Sequence, residues 1–211
     1  VCHVSSKIGV WHLSRLLALG QELKKNTLIR AEFLIFGDLF KKDELSDFDV
    51  HTRANSSDFA GSVEEILQLS HFDALIFDLY PKHNVNNLEE FFRRLKRRNI
   101  CLVGIDSLLE HRNIFDLLWI PSFNFDCGKF QECSSLLKSG WDSFLIQKLL
   151  PHKAWVGGSR VLVLTGSGDV SGLGKILPAE LDKFLGEEVE VHLVRGPFSS
   201  APYLPKTCRL T

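Results

Sequence analysis

His12 and Arg15 stand three residues apart, just behind Gly9. An imidazole at such a position can take a proton from an attacking hydroxyl or water, or handle a phosphate group. Leu13, Leu16, Leu17, Leu19, Gly20 and Leu23 recur at helical spacing after it. Val1 to Val4 before it is a short apolar strand. The pattern is therefore strand, glycine loop, helix, with His12 and Arg15 in the first helical turn. A helix start offers unpaired N–H groups and the positive end of its dipole to an anion. The plainer reading, equally open here, is that His12 merely begins the helix.

A second loop of this kind runs Gly166-Ser167-Gly168-Asp169-Val170-Ser171-Gly172, between an apolar strand at 160–165 and a helix at 173–185. Small residues there let backbone N–H groups approach a phosphate. The Gly-Lys-Ser/Thr ending of a P-loop is absent. Ser171 also holds the place of the third glycine in a dinucleotide fingerprint. An ordinary tight turn is the plain alternative. Asp78 and Tyr80 close one strand and Asp106 closes the next, so all three fall on the carboxyl rim of a parallel sheet, where ligands bind. They either serve a ligand or cap the turns that follow. The sequence has no His-Glu-x-x-His, no Asp-x-Asp and no Gly-x-Ser-x-Gly motif. Metal catalysis and serine hydrolysis are therefore unsupported, and no metal or cofactor is expected.

The elements that must hold these residues read as strands alternating with helices. Strands are expected over 1–4, 31–36, 73–78, 100–105, 116–121, 160–165 and 189–194, with a short one over 48–51. Helices are expected over 13–23, 63–69, 87–98 and 173–185, the last broken or kinked at Pro178. Ser62 with Glu65 three residues on fits a capping box. Lys41 to Asp49 reads as loop or short helix, and Leu136 to Leu150 as helical segments. This alternation implies parallel βαβ units. The fold class is α/β, with two doubly wound Rossmann-like domains. Residues 1–150 form the first with its linker, and 151–211 begin a second that is incomplete. The rhythm breaks over 122–158, and Pro151, Gly157 and Gly158 mark the boundary.

The 211 residues carry 45% apolar and 24% charged side chains and a net charge of −1. That composition is ordinary for a globular protein and gives no global field toward nucleic acid. Nor are basic and aromatic residues interleaved as nucleic-acid binding requires. No apolar run reaches the ~20 residues of a membrane helix. No signal pattern opens the chain, so the cytoplasm is expected. The basic run Arg93 to Arg98 reads either as a solvated helix end or as a patch for acidic lipid heads in peripheral membrane contact. The five cysteines form no Cys-x-x-Cys pair. Cys2 and Cys101 read as inert core thiols, and Cys127 and Cys133 lie in a polar connection. Methionine is absent altogether, which suggests that the gene product extends beyond this chain. The oligomeric state is not indicated.

The first loop resembles the Gly-x-Gly-His-x-x-Arg loop of GT-B nucleotide-sugar enzymes. The nearest groups are the UDP-sugar hydrolase of pseudaminic acid biosynthesis, the spore-coat polysaccharide proteins and the lipid II-forming N-acetylglucosaminyltransferase. Gly9, His12 and Arg15 match, while Trp11 stands in place of the second glycine, where it narrows the loop or fills acceptor space. The second loop resembles the family's Gly-Gly-Ser-Asp loop: Gly166, Ser167 and Asp169 match, and Gly168 is extra or shifted. Asp78-Leu79-Tyr80-Pro81 and Asp106 follow in the same order.

The resemblance implies a glycosyltransferase-like enzyme of cell-surface polysaccharide or glycan biosynthesis. It would transfer the sugar of a UDP-sugar to a sugar acceptor or to water. His12 would be the base, and Arg15 would orient or balance charge. Gly9, Trp11, Asp78, Tyr80 and Asp106 would line the substrate, and Gly166, Ser167, Gly168 and Asp169 would border the diphosphate between two lobes. The family's uridine contacts lie mostly in the half-domain this chain lacks. Two alternatives stay open. One is a non-catalytic sugar-nucleotide or partner-binding protein, which Trp11 favours. The other is an NADP-dependent oxidoreductase using Gly166–Gly172 with Arg195.

Overall fold

A computed structural model describes residues 1–38, 43–80, 87–130, 136–146, 154, 156–186, 188–200 and 208–210. The chain divides into two compact units. The first holds Val1–Val4 and His12–Gln147, and the second holds Ser5–Trp11 and Lys148–Thr211.

The first unit contains β1 (Cys2–Val4), α1 (Trp11–Lys24), β2 (Glu32–Gly37), β3 (Asp49–Arg53), α2 (Phe59–Leu69), β4 (Ala74–Phe77), α3 (Leu88–Arg97), β5 (Cys101–Ile105), β6 (Leu117–Ile120) and β7 (Leu136–Ser139). All strand pairs are parallel, in two runs ordered β1-β2-β3 and β4-β5-β6-β7. A parallel bridge between Cys2 and Asp78 joins the runs, so β1 and β4 are neighbours. From β1 the chain winds outward one way through β3, then returns to start the other half at β4. That reversal is the switch point of a Rossmann-like sheet, and ligands bind at the carboxyl ends beside it.

Aromatic side chains form much of the core. Phe36, Phe77, Phe91 and Phe92 are almost fully buried. Phe92 meets Phe77 edge-on at 5.2 Å and Phe115 at 4.8 Å between ring centroids. Each fully buried phenylalanine contributes roughly 1.5–3 kcal/mol. That mass of rings holds α2 and α3 to the sheet and makes the strand ends a rigid base.

The second unit contains β8 (Arg160–Leu164), α4 (Leu173–Phe184), β9 (Glu190–Val194) and β10 (Cys208–Leu210). Its sheet is parallel, in the order β10-β9-β8. Val163, Val191 and Leu193 form its small core, packed against Leu177 and Leu181 of α4. Pro178 lies buried inside α4.

Several expectations need correction. Leu136–Ser139 is not helical: it pairs with β6 in the register Leu117↔Leu136 to Ile120↔Ser139. Leu-Leu-Lys-Ser suits either state, and the unpaired edge of β6 decides it. The first sheet thus continues past 122, and a 3-10 turn follows at Trp141–Ser143. The helix expected from Val63 begins a turn earlier, at Phe59, because Phe59 extends the Val63–Ile66 apolar stripe. Ser62 is therefore buried inside the helix, its N–H bonded to the Asp58 carbonyl, and does not cap it. Asp43–Asp47 is a 3-10 turn.

Cys101 is exposed, because it opens β5 at the sheet's amino edge. Burial and the neighbouring Asp116 still raise its thiol pKa. Cys2 is sealed in the core, and burial pushes its thiol up to about 12. The strand β10 had no counterpart in the sequence reading. Among the described residues no helix is long and apolar enough to cross a membrane. Lys41, Pro81, Cys133, Pro151 and residues 147–150 lie outside the described residues.

Candidate functional site

The buried stripe of α1 holds Leu13, Leu16, Leu17 and Gly20, but also His12 and Arg15 at its amino end. Two polar side chains on an inward face need internal partners. Asp78 supplies them. It follows β4, directly beside β1, and is 0% exposed. His12 Nδ1 lies 2.5 Å from Asp78 Oδ1. Arg15 Nη2–H donates to the same oxygen at 2.7 Å, and Arg15 Nε–H donates to Oδ2 at 2.9 Å. Arg15 Nη1–H donates to Asp106 Oδ2 at 2.7 Å. The arginine is thus clamped between two carboxylates. Burial alone would lower the Arg15 pKa, but the bonds to Asp78 and then Asp106 outweigh it and hold it above the ordinary value.

The hydrogen-bond pattern assigns the imidazole tautomer. Asp78 accepts two guanidinium bonds, so it is the ionised carboxylate. The proton is assigned between the ring nitrogen and that oxygen, whose 2.5 Å contact is much shorter than the 3.2 Å from the same nitrogen to Arg15 Nη2. Nδ1–H therefore donates to Asp78, and Nε2 keeps the lone pair. The His12 side chain is 10% exposed. With Nδ1 engaged by Asp78, Nε2 is the ring nitrogen left for a further partner. An aspartate that fixes a histidine in this way prepares it as a proton acceptor.

Asp106 is 45% exposed and stands at φ 66°. Leu108 follows at φ 73°. Two non-glycine residues in the left-handed region within three positions mark a turn that its surroundings hold in place. Ser107 helps to hold it, donating to the Leu79 carbonyl at 2.8 Å. That bond ties the end of β4 to the end of β5. Tyr80 is half-buried on the same rim.

His12, Arg15, Asp78 and Asp106 therefore do converge in the first unit. One assignment changes. Asp78 is sealed, with both oxygens bonded internally, so it reaches no ligand directly and instead orients His12 and Arg15. Sequence reading had no means of pairing residues 66 positions apart. The one signal was that His12 and Arg15 share the helix face that turns inward. Trp11 opens α1 and is 57% exposed, so its ring stands in solvent rather than in the core.

The remaining candidates lie in the second unit. Gly9 stands at φ 83°, with its N–H bonded to the Ser5 carbonyl at 2.6 Å. Ser167 Oγ fills the space where a Gly9 Cβ would be, and it accepts from Val10 N–H at 3.1 Å. A Gly168 Cβ would likewise meet the Ser6 carbonyl. Gly166 stands at φ 85°. Asp169 Oδ2 accepts from Gly174 N–H at 2.9 Å, at the start of α4. A carboxylate therefore occupies the helix amino end that a phosphate would need. Its other oxygen is sealed with no partner among the described residues. Arg195 Nε–H donates to the Ser199 carbonyl at 3.0 Å.

The basic run at the end of α3 carries paired charges: Arg93–Glu89, Arg94–Glu64, Lys96–Asp116 and Arg97–Glu90, at 2.6–2.8 Å. Four of its five cations are thus paired with carboxylates, while Arg98 donates to the Leu67 carbonyl at 3.3 Å. Among the described residues no three His, Cys, Asp or Glu side chains are grouped to hold a metal ion.

What the geometry defines is a Rossmann-like α/β unit with an oriented histidine at its switch point. No family model matches the chain, and no curated protein is significantly similar to it.

Proposed function

We propose that this chain is a GT-B-like enzyme in which His12 is a general base that deprotonates a hydroxyl or water attacking a UDP-sugar. The observation that carries this reading is the 2.5 Å bond from His12 Nδ1 to the sealed Asp78 carboxylate, which leaves Nε2 available for a proton. Positive charge develops on the imidazole as it takes that proton, and Asp78 balances it. Arg15 holds Asp78 in place and is itself held by Asp106. The sugar-nucleotide half of the reading rests on the resemblance of the two glycine loops. Binding a diphosphate at Gly166–Asp169 requires Ser167 and Asp169 to exchange their present partners, Val10 and Gly174.

The test is the His12→Asn variant. UDP release is followed across a panel of UDP-sugars, and UDP binding is measured by calorimetry. A positioned base contributes about 10²–10⁴ in rate, so turnover falls by that factor while UDP binding stays within about two-fold. An unchanged rate overturns the base assignment. Binding of NADP without UDP overturns the ligand class.

A further inference from the structure

The loops after β6 and β7 carry an aromatic group that the His12 site does not use. Phe123 and Trp141 stack with ring centroids 4.9 Å apart and planes 9° apart. Phe144 joins them, 6.0 Å from Trp141 and 6.4 Å from Phe123. Trp141 is 75% exposed and Phe123 57%. Rings of this size favour leaving water strongly, so an exposed stack points to a ligand.

The stack is preformed by the backbone. Gly140 N–H donates to the Ser122 carbonyl at 3.1 Å and ties the two loops together. Gly140 stands at φ 96°, which favours glycine. Ser143 N–H donates to the Gly140 carbonyl at 3.0 Å, and Trp119 Nε1–H donates to the Ser143 carbonyl at 2.6 Å. Little ordering is left for a ligand to impose.

Charge narrows the ligand class. Asn124 and Asp142 are exposed and adjoin Phe123 and Trp141 in sequence. A carboxylate beside Trp141 repels phosphates and anionic lipid surfaces, while carboxylate and amide oxygens accept from hydroxyls. Flat apolar faces edged by hydroxyl acceptors suit a neutral saccharide. Its C–H face covers a ring, and its hydroxyls reach the acceptors. The stack also lies on the same rim as the base. Asp78 closes β4, and Trp141 follows β7, three strand positions along the sheet. At the ~4.8 Å spacing of neighbouring strands that is about 14 Å, the reach of a short oligosaccharide.

We propose that Phe123, Trp141 and Phe144 form a platform for the distal residues of a neutral oligosaccharide acceptor whose reacting hydroxyl lies at His12. This rests on the glycosyl-transfer reading for the acceptor's role, but the platform can be tested without nucleotide.

Chitotetraose and maltotetraose are titrated by calorimetry into the protein and into Trp141→Ala and Phe123→Ala variants. At least one tetrasaccharide binds saturably in the millimolar range or below, and each variant weakens it about ten-fold, the scale of one lost aromatic contact. Melting temperatures stay within about 2 °C, as exposed positions require. No binding of either tetrasaccharide overturns the platform, and so does binding by both variants as tight as the parent's. A fall of many degrees in the Trp141→Ala melt also overturns it, by making the rings packing residues. Trp141-dependent sedimentation with phosphatidylglycerol vesicles assigns the patch to membrane and overturns the proposal. Tetrasaccharide binding through Trp141 in a protein that neither binds UDP nor turns over a UDP-sugar overturns the glycosyl-transfer reading alone.

Discussion

Replacing Asp78 with asparagine tests the site at its most constrained atom. The carboxylate accepts from His12 Nδ1, Arg15 Nε and Arg15 Nη2 at 2.5–2.9 Å and is fully buried. Asparagine fills nearly the same volume but offers one acceptor and an NH2 donor. Whichever way it turns, the NH2 group faces a proton on Arg15 or on His12. Arg15 is left with the half-exposed Asp106 as counter-charge. Removing one partner of a buried pair costs about 3–5 kcal/mol. For a unit of this size each kcal/mol lowers Tm by about 2–4 °C, so the variant melts about 10 °C below the parent. Asp106→Asn is the control: a half-exposed carboxylate contributes under about 1 kcal/mol, so its melt falls by no more than about 3 °C. Thermal unfolding followed by circular dichroism distinguishes the two. Equal melts for both variants, or an Asp78→Asn melt within about 3 °C of the parent, refute the buried network.

Gly9→Ala should destabilise the second unit by about 1–3 kcal/mol. Its φ of 83° penalises a side chain, and the added Cβ runs into Ser167 Oγ. Urea unfolding measures it, and a neutral result refutes the packing of the two loops. Asp116 supplies the pH prediction. Burial would raise its pKa, but the bonds from Lys96 and the Leu102 N–H outweigh that and hold it below the ordinary carboxylate value. A folded-state pKa below the unfolded one contributes stability above about pH 4 and loses it as pH falls through the folded value. Asp116 is 41% exposed, so the contribution is under about 1 kcal/mol. The difference in urea midpoint between the parent and Asp116→Asn should be largest near pH 7 and close below about pH 3. A gap that widens in acid reverses the sign and refutes the assignment.

Much of this fold was legible because its signals are local. The Leu13–Leu23 periodicity marks α1, and the apolar run before Asp78 marks β4. Both sit within two residues of their expected bounds. What failed was decided by distant partners. Leu136–Ser139 became a strand only because β6 offered an edge. Cys208–Leu210 is three residues long, too short to show a period, and is defined by its pairing with β9. The convergence of His12, Arg15 and Asp106 was readable as a shared rim, but the Asp78–His12 bond was not. It depends on β1 and β4 becoming neighbours, which is a property of strand order rather than of either segment.

The charges around His12 also bear on the two roles open to it in the sequence, base or phosphate ligand. A phosphate-handling histidine needs surplus positive charge around it. Here one guanidinium faces two carboxylates, a net charge of −1 beside the ring. Arg15 commits three of its five N–H protons to those carboxylates. The dipole at the amino end of α1 favours an anion, but its ~0.5 charge is smaller than the local excess and falls off within one turn. A diphosphate placed at His12 would meet repulsion from Asp106 and a guanidinium whose charge two carboxylates already balance. A cation forming on the ring has Asp78 2.5 Å away as its counter-charge, closer than Arg15 Nη2 at 3.2 Å. This balance supports the proposed base role, in which charge develops on the imidazole, over a role for His12 as a phosphate ligand. Lysine at position 15 tests this. It keeps the charge but loses the two-point grip on Asp78. Arg15→Lys should leave UDP affinity within about two-fold yet lower turnover by about ten-fold or more, because His12 loses its orientation. A fall in UDP affinity with turnover retained at saturation would instead make Arg15 a phosphate ligand and refute the base-orienting role.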